Sequence, residues 1–223
     1  GATAIKFQHH LPDEEMLRDS PTSDNMEEPL YDFLVKNALT LDQHIDLKQH
    51  CDQVGIQYMC TPFSYKAALE LHGAGILDVI KIGSGEMTDI PSLLRMAEFG
   101  LPMIVSTGMC TFEEIEESYD ALINAGADLA LTNCVSEYPP VYEDINLHVI
   151  NRMQERFPKA VIGHSDHTPT LYTCFGAAML GAKIIEKHVI ISKLTPGPDQ
   201  SVSIDFDELH QLVEGIEILE AAS

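Results

Sequence analysis

Residues 163–168 read Gly-His-Ser-Asp-His-Thr, directly after the apolar run Ala160-Val161-Ile162. Imidazoles, a hydroxyl and a carboxylate at the end of a core-like run are groups that bind metals, move protons or hold anions. Further along, Glu186, Lys187 and His188 interrupt a second apolar run at 182–190. Other apolar runs lead into Lys6 and Gln8, into Thr61 and Phe63, into Lys81, Ser84 and Glu86, into Ser106 and Thr107, and into Ser136 and Tyr138. The lysines and hydroxyls are donors suited to a phosphate or carboxylate, with lysine a compact point charge. Two imidazoles on neighbouring strands can share a divalent metal whose other positions go to oxygen ligands or water. Glu86 and Glu186 can orient a polyol or move protons.

Taken singly, each of these residues has an ordinary structural explanation. A lysine near a strand end snorkels to solvent, a strand histidine is hydrogen-bonded structure, and a serine after a strand caps the next helix. Their repetition at successive strand ends is what points to a site. Side-chain parity narrows the choice further. Glu186 and His188 share one face of a strand and Lys187 takes the other. Ser165 and His167 likewise lie opposite His164 and Asp166, which favours His167 over His164 as a ligand.

The elements that must carry these residues alternate along the chain. Strands are expected over 3–8, 56–63, 78–86, 101–108, 128–139, 160–168 and 182–190. Helical spacing separates them. One helix is capped by Thr40 and stopped by Gly55, a second starts at a capping box of Thr111 and Glu114, and a last one begins near Asp205. Strands each followed by a helix imply a parallel sheet with right-handed crossovers. Polar residues at almost every strand end favour a TIM-type (β/α)8 barrel over an open sheet, which gathers them at one switch point. The expected strands number one too few, so the first βα unit of the barrel is expected to be missing from residues 1–223, read as a single-domain fragment. The polar, acidic segment 9–40 is expected to be an extended loop over the strand ends, either a substrate lid or plain disordered surface.

Composition sets the outer limits. A net charge of −22 repels phosphate backbones and anionic lipid, which argues against nucleic-acid and membrane partners. No apolar run approaches the roughly 20 residues of a membrane span. Five scattered cysteines without a C-x-x-C pair fit a reduced, cytoplasmic protein and disfavour a thiolate zinc site.

The stretches "AIKFQ", "CTPF", "KIGSGEMTDIPSL", "PMIVSTGM", "SEYPPVYEDINL", "GHSDHT", "GAKIIEKH" and "PGPDQSVSIDFDEL" are similar in order and spacing to those of the sialic acid synthase family. That family comprises N-acetylneuraminate, legionaminate, pseudaminate and spore-coat polysaccharide synthases. The resemblance implies a TIM barrel followed by a small antifreeze-like domain, absent from this chain, in a homodimer. It implies condensation of phosphoenolpyruvate with an open-chain N-acetylated amino sugar, giving a nine-carbon 2-keto acid and phosphate. A divalent ion is implied as cofactor, Mn²⁺ first, with Mg²⁺ or Co²⁺ as alternatives.

By motif, Lys6, Thr61, Lys81, Ser84, Ser106 and Ser165 would hold phosphoenolpyruvate, and His167 and His188 the metal. Gln8, Phe63, Glu86, Tyr138 and Asp199 would surround the sugar, with Ser136 standing where the sialic acid branch often has asparagine. Lys6, Lys81, Glu86 and Glu186 are the expected catalytic groups. Gln200 replaces the family's usual histidine. "SEYP" is commoner in branches that use diacetamido sugars. Two other readings are a non-catalytic sugar- or phosphate-binding barrel and a synthase acting on phosphorylated sugars. The latter would want arginines near the mouth, and Arg18, Arg95, Arg152 and Arg156 all lie outside the strand-end motifs.

Overall fold

The computed structural model describes residues 1–22, 26, 28–195 and 197–223. In chain order its elements begin with β1 (Ala4–His9), α1 (Pro12–Glu15), α2 (Leu30–Asn37), α3 (Leu41–Val54), β2 (Gln57–Pro62) and α4 (Tyr65–Gly73). The middle of the chain forms β3 (Ile80–Ile82), α5 (Ile90–Ala97), β4 (Met103–Ser106), α6 (Phe112–Asn124) and β5 (Leu129–Cys134). The last part forms α7 (Tyr142–Ile145), α8 (Val149–Arg156), β6 (Val161–Asp166), α9 (Tyr172–Met179), β7 (Ile185–Lys187) and α10 (Phe206–Ala222).

Local sequence explains the helix ends. Thr40 and Gln43 close a capping box at the start of α3, and Gly55 ends it in the left-handed region at φ 75°. Thr111 with Glu114 and Asp205 with Glu208 do the same for α6 and α10. These caps satisfy amides that a helix start leaves without intrahelical partners.

The seven strands form one sheet in the order β1-β2-β3-β4-β5-β6-β7, each pair parallel. This is a TIM-type (β/α) half-barrel whose edges are β1 and β7. Register assigns the two faces. Lys6 pairs with Met59, Gln8 with Thr61, Lys81 with Ile104, Ser106 with Thr132, Cys134 with Ser165 and Ser165 with Glu186. Cross-strand partners share a face, so these residues line the concave interior. The alternating residues Tyr58, Ile80, Ile82, Met103, Val105, Leu131 and Ile162 face the helices and form the main core.

Two expectations need correction. The regular strands stop short of their expected ends, at Ile82, Ser106, Cys134, Asp166 and Lys187, because pairing ceases where the polar segments turn away, and this leaves His167 and His188 just past β6 and β7. Ser84–Glu86, expected within a strand, instead form a 3-10 turn. The segment 9–40 is not one extended loop. His9 closes β1 and is buried, while Pro12 starts α1 with Asp13, Glu14 and Glu15 in its first turn. Proline at a helix start and acids beside the positive end of the dipole both suit a helix there. Leu34 anchors α2 by burial. Positions 23–25 and 27 of that segment lie outside the described residues.

Candidate active site

The interior of the half-barrel carries the expected residues on different strands. Lys81, on β3, is buried, and its Nζ donates to Ser106 Oγ at 2.6 Å and to the Ile82 carbonyl at 3.1 Å. Ser106 Oγ also lies 2.9 Å from Thr132 Oγ1. Across the interior the Lys81 ammonium stands 3.7 Å from Glu186 Oε2, and Glu186 Oε1 accepts from Ser165 Oγ at 2.8 Å. Burial disfavours the Glu186 carboxylate, but Lys81, Lys6 and the Ser165 hydroxyl outweigh it and hold its pKa at about 2. Burial lowers the pKa of Lys81, an effect that Glu186 opposes. Thr61 is buried with its hydroxyl unpartnered. A free hydroxyl on this face, opposite Gln8, is the kind of group that an anionic ligand would satisfy.

Ser84 and Ser136 meet around Gly108. Gly108 N donates to Ser84 Oγ at 3.1 Å, and a Cβ at Gly108 would fall 2.4 Å from Ser136 Oγ and 2.7 Å from Ser84 Oγ. Glycine is therefore required by close approach.

The imidazoles form a second group. The His167 and His188 rings lie 5.2 Å apart, and Tyr138 stacks on His167 at 4.2 Å. His167 Nδ1 lies 2.7 Å from the Val135 carbonyl, a contact that needs a proton on Nδ1, and Nε2 lies 3.2 Å from the Tyr138 hydroxyl. His188 Nδ1 lies 3.4 Å from Asp199 Oδ2. Burial lowers the His188 pKa to about 4 despite Asp199, so its ring is neutral near pH 7. Burial alone would raise Cys134 and lower His167, but their contact reverses both, holding the thiol below and the imidazole above its ordinary value.

A neutral imidazole and a second one oriented through a backbone carbonyl suit a shared divalent ion. No cluster of three His, Cys, Asp or Glu side chains able to hold a metal occurs among the described residues. An ion held by these two imidazoles would have to take its remaining ligands from water or substrate oxygens.

A third group surrounds the start of α1. His10 stacks on Phe63 at 4.3 Å, with Nε2 3.3 Å from Gln8 Oε1 and Nδ1 3.0 Å from Glu15 Oε1. Burial raises the pKa of Glu86, whose Oε2 is buried without a partner. A cleft of about 330 Å³ joins parts of these groups. It is lined by Lys6, Gln8, His10, His188 and Asp199, with Phe33, Leu34 and Asn37 of α2 on its other side. Sequence reasoning missed Thr132, Cys134, His10 and Glu15. Strand parity beside Ser106 and Ser165 would have found the first two. His10 comes one step past the His9–Pro62 pair of β1 and β2, and Glu15 depends on α1 folding back.

The chain matches the NeuB family over residues 1–223. It belongs to that family. It is 33% identical to the N,N'-diacetyllegionaminic acid synthase of Legionella pneumophila over 97% of this chain, and spans 63% of that protein's length. A crystal structure of N-acetylneuraminic acid (sialic acid) synthetase from Leptospira borgpetersenii superposes with a TM-score of 0.89 at 29% identity, over 99% of this chain and 74% of that one. A truncated 3-deoxy-D-arabino-heptulosonate 7-phosphate synthase from Thermotoga maritima has a TM-score of 0.72 at 18% identity, over 83% of this chain and 74% of that one. That last likeness concerns the fold alone.

Proposed function

We propose that this chain is the catalytic barrel of a synthase that condenses phosphoenolpyruvate with an open-chain N-acetylated amino sugar. The methylene carbon of phosphoenolpyruvate bonds to the sugar aldehyde carbon, water adds at the carbon bearing the phosphate, and the carbon–oxygen bond to phosphate breaks. A nine-carbon 2-keto acid and inorganic phosphate result. The observation that carries the reading is the convergence of Lys81, Ser106, Ser165 and Glu186 in one interior, beside the unpartnered Thr61 hydroxyl.

Lys6 and Lys81 offset the repulsion between the two anionic groups of phosphoenolpyruvate, which lie close together. Ser84, Ser106, Thr61 and Ser165 supply oriented hydroxyl donors. Lys81 is already fixed by two acceptors, so little side-chain freedom is lost on binding. Glu186 is ionised and so can orient the attacking water by accepting a hydrogen bond from it. Glu86, whose Oε2 is buried without a partner, can pair with a sugar hydroxyl, while Gln8, Phe63, Ser136, Tyr138 and Asp199 shape the sugar's surroundings. His167 and His188 would hold a divalent ion such as Mn²⁺. When bound, such an ion polarises the aldehyde oxygen.

The arginines favour an unphosphorylated acceptor. Arg18 pairs with Asp13, Arg156 with Glu116, Arg95 lies on Tyr65 and Arg152 on Phe112. None of the four lines the cleft. Incubation with Mn²⁺, phosphoenolpyruvate and a panel of N-acetylated and N,N'-diacetylated amino sugars tests the reading through phosphate release and keto-acid formation. Thermal stabilisation by phosphoenolpyruvate with Mn²⁺ is expected through linkage. Neither stabilisation nor phosphate release with any sugar would overturn it.

A further inference from the structure

Behind the mouth, on the helix-facing side of β6 and β7, lies an ion pair that the chemistry above does not use. Asp166 and Lys187 are register partners. Lys187 Nζ stands 2.5 Å from Asp166 Oδ2 and also donates to the Thr168 carbonyl. The side chains are 2% and 0% exposed, lysine first. Asp166 Oδ1 accepts from Thr173 Oγ1 at 2.8 Å and lies 3.4 Å from His164 Nε2, while Oδ2 accepts from Thr168 Oγ1 at 2.8 Å. Thr173 lies in α9, so one carboxylate ties together two strand ends and a helix.

The arrangement has a consequence for the opposite face. Asp166 lies between Ser165 and His167, and Lys187 between Glu186 and His188. Ser165 and Glu186 alternate with Asp166 and Lys187 within the strands, and His167 and His188 follow at once past the strand ends, so fixing Asp166 and Lys187 fixes the residues on both sides of them. β7 is a three-residue edge strand with few backbone bonds of its own to hold its place. A buried ion pair is weak evidence for stability, because an apolar pair of similar volume often serves as well or better. It is directional, however, and an apolar contact is not.

We propose that the buried Asp166–Lys187 pair is a positioning device, setting the Ser165–Glu186 and His167–His188 spacings at the mouth. Its kinetic consequence rests on the proposed synthase reaction, but its geometric consequence does not.

The test is the double variant Asp166→Asn/Lys187→Met, which removes both charges and leaves neither unpaired. Its thermal midpoint is expected to stay within a few degrees of the wild type. The ring resonances of His167 and His188 in the ligand-free protein are nonetheless expected to move, His167 most, because it stacks on Tyr138. In the assay kcat is expected to fall at least about tenfold with KM for phosphoenolpyruvate little changed, as for a displaced but intact site. A stable double variant with unmoved imidazole resonances and wild-type kcat would overturn the proposal. Should the double variant fail to fold, Thr173→Val removes one hydrogen bond from Asp166 without unpairing a charge. A smaller resonance shift in the same rings supports the proposal, and unmoved rings reject it. A wild-type chain without turnover would sink the functional reading while the resonances still decide this one.

Discussion

The Lys81 ammonium and the Glu186 carboxylate face each other at 3.7 Å, although β4, β5 and β6 lie between their strands in the sheet. Only a strongly curved sheet brings them together, so this pair reports the closure of the interior. Lys81→Met would leave a largely buried carboxylate with Lys6 as its remaining cation, at a cost of about 3 kcal/mol. Urea unfolding measures that loss. Calorimetry on the same variant should show phosphoenolpyruvate binding lost and Mn²⁺ binding in its absence retained. Equal loss of both ligands would mark Lys81 as structural.

His167→Ala and His188→Ala should each abolish stabilisation by Mn²⁺ while the metal-free protein melts close to the wild type. The wild type should gain about 2.7 kcal/mol at a hundredfold excess of Mn²⁺ over Kd. A variant that keeps the full gain would rule out its imidazole as a ligand.

Gly108→Ala should weaken phosphoenolpyruvate by about tenfold or more, since the new methyl would displace the Ser84 and Ser136 hydroxyls. The same overlap should cost about 1–3 kcal/mol of stability. A binding constant unchanged by calorimetry would show that the Ser84 hydroxyl does not contact phosphoenolpyruvate.

Stability should also fall in mild acid through His44 of α3. His44 is buried, its Nδ1 lies 2.8 Å from the Tyr58 hydroxyl, and its ring meets the edge of His9, which pairs with Glu70. Burial and the neighbouring His9 lower its pKa from 6.5 to about 4. Between those values the unfolded chain binds the extra proton, so the contribution is complete above pH 6.5 and is lost as pH falls towards 4. The shift corresponds to about 3 kcal/mol. His44→Gln keeps an acceptor for Tyr58 and should flatten this part of the stability–pH curve. An unchanged curve would assign the acid sensitivity elsewhere.

Much of this was legible without coordinates because it depends on local rules. Thr40, Thr111 and Gly55 mark helix ends through backbone hydrogen bonding within a few residues. Alternation along a strand was enough to place Ser165 with Glu186 on one face and Asp166 with Lys187 on the other. The segment 9–40 was misread because its polar, acidic character hid two short helices, one begun by proline and one anchored by a single buried leucine.

By itself, then, the sequence determined the alternation of strand and helix, the face to which polar side chains within the regular strands turn, and membership of the NeuB family. The tertiary structure alone decided which residues meet. Glu186 reaches Lys81 through sheet curvature, Glu15 reaches His10 through the fold-back at α1, and Asp166 gathers donors from β7 and α9. Periodicity is a property of a few consecutive residues, whereas curvature and packing sum over the whole sheet and its helices.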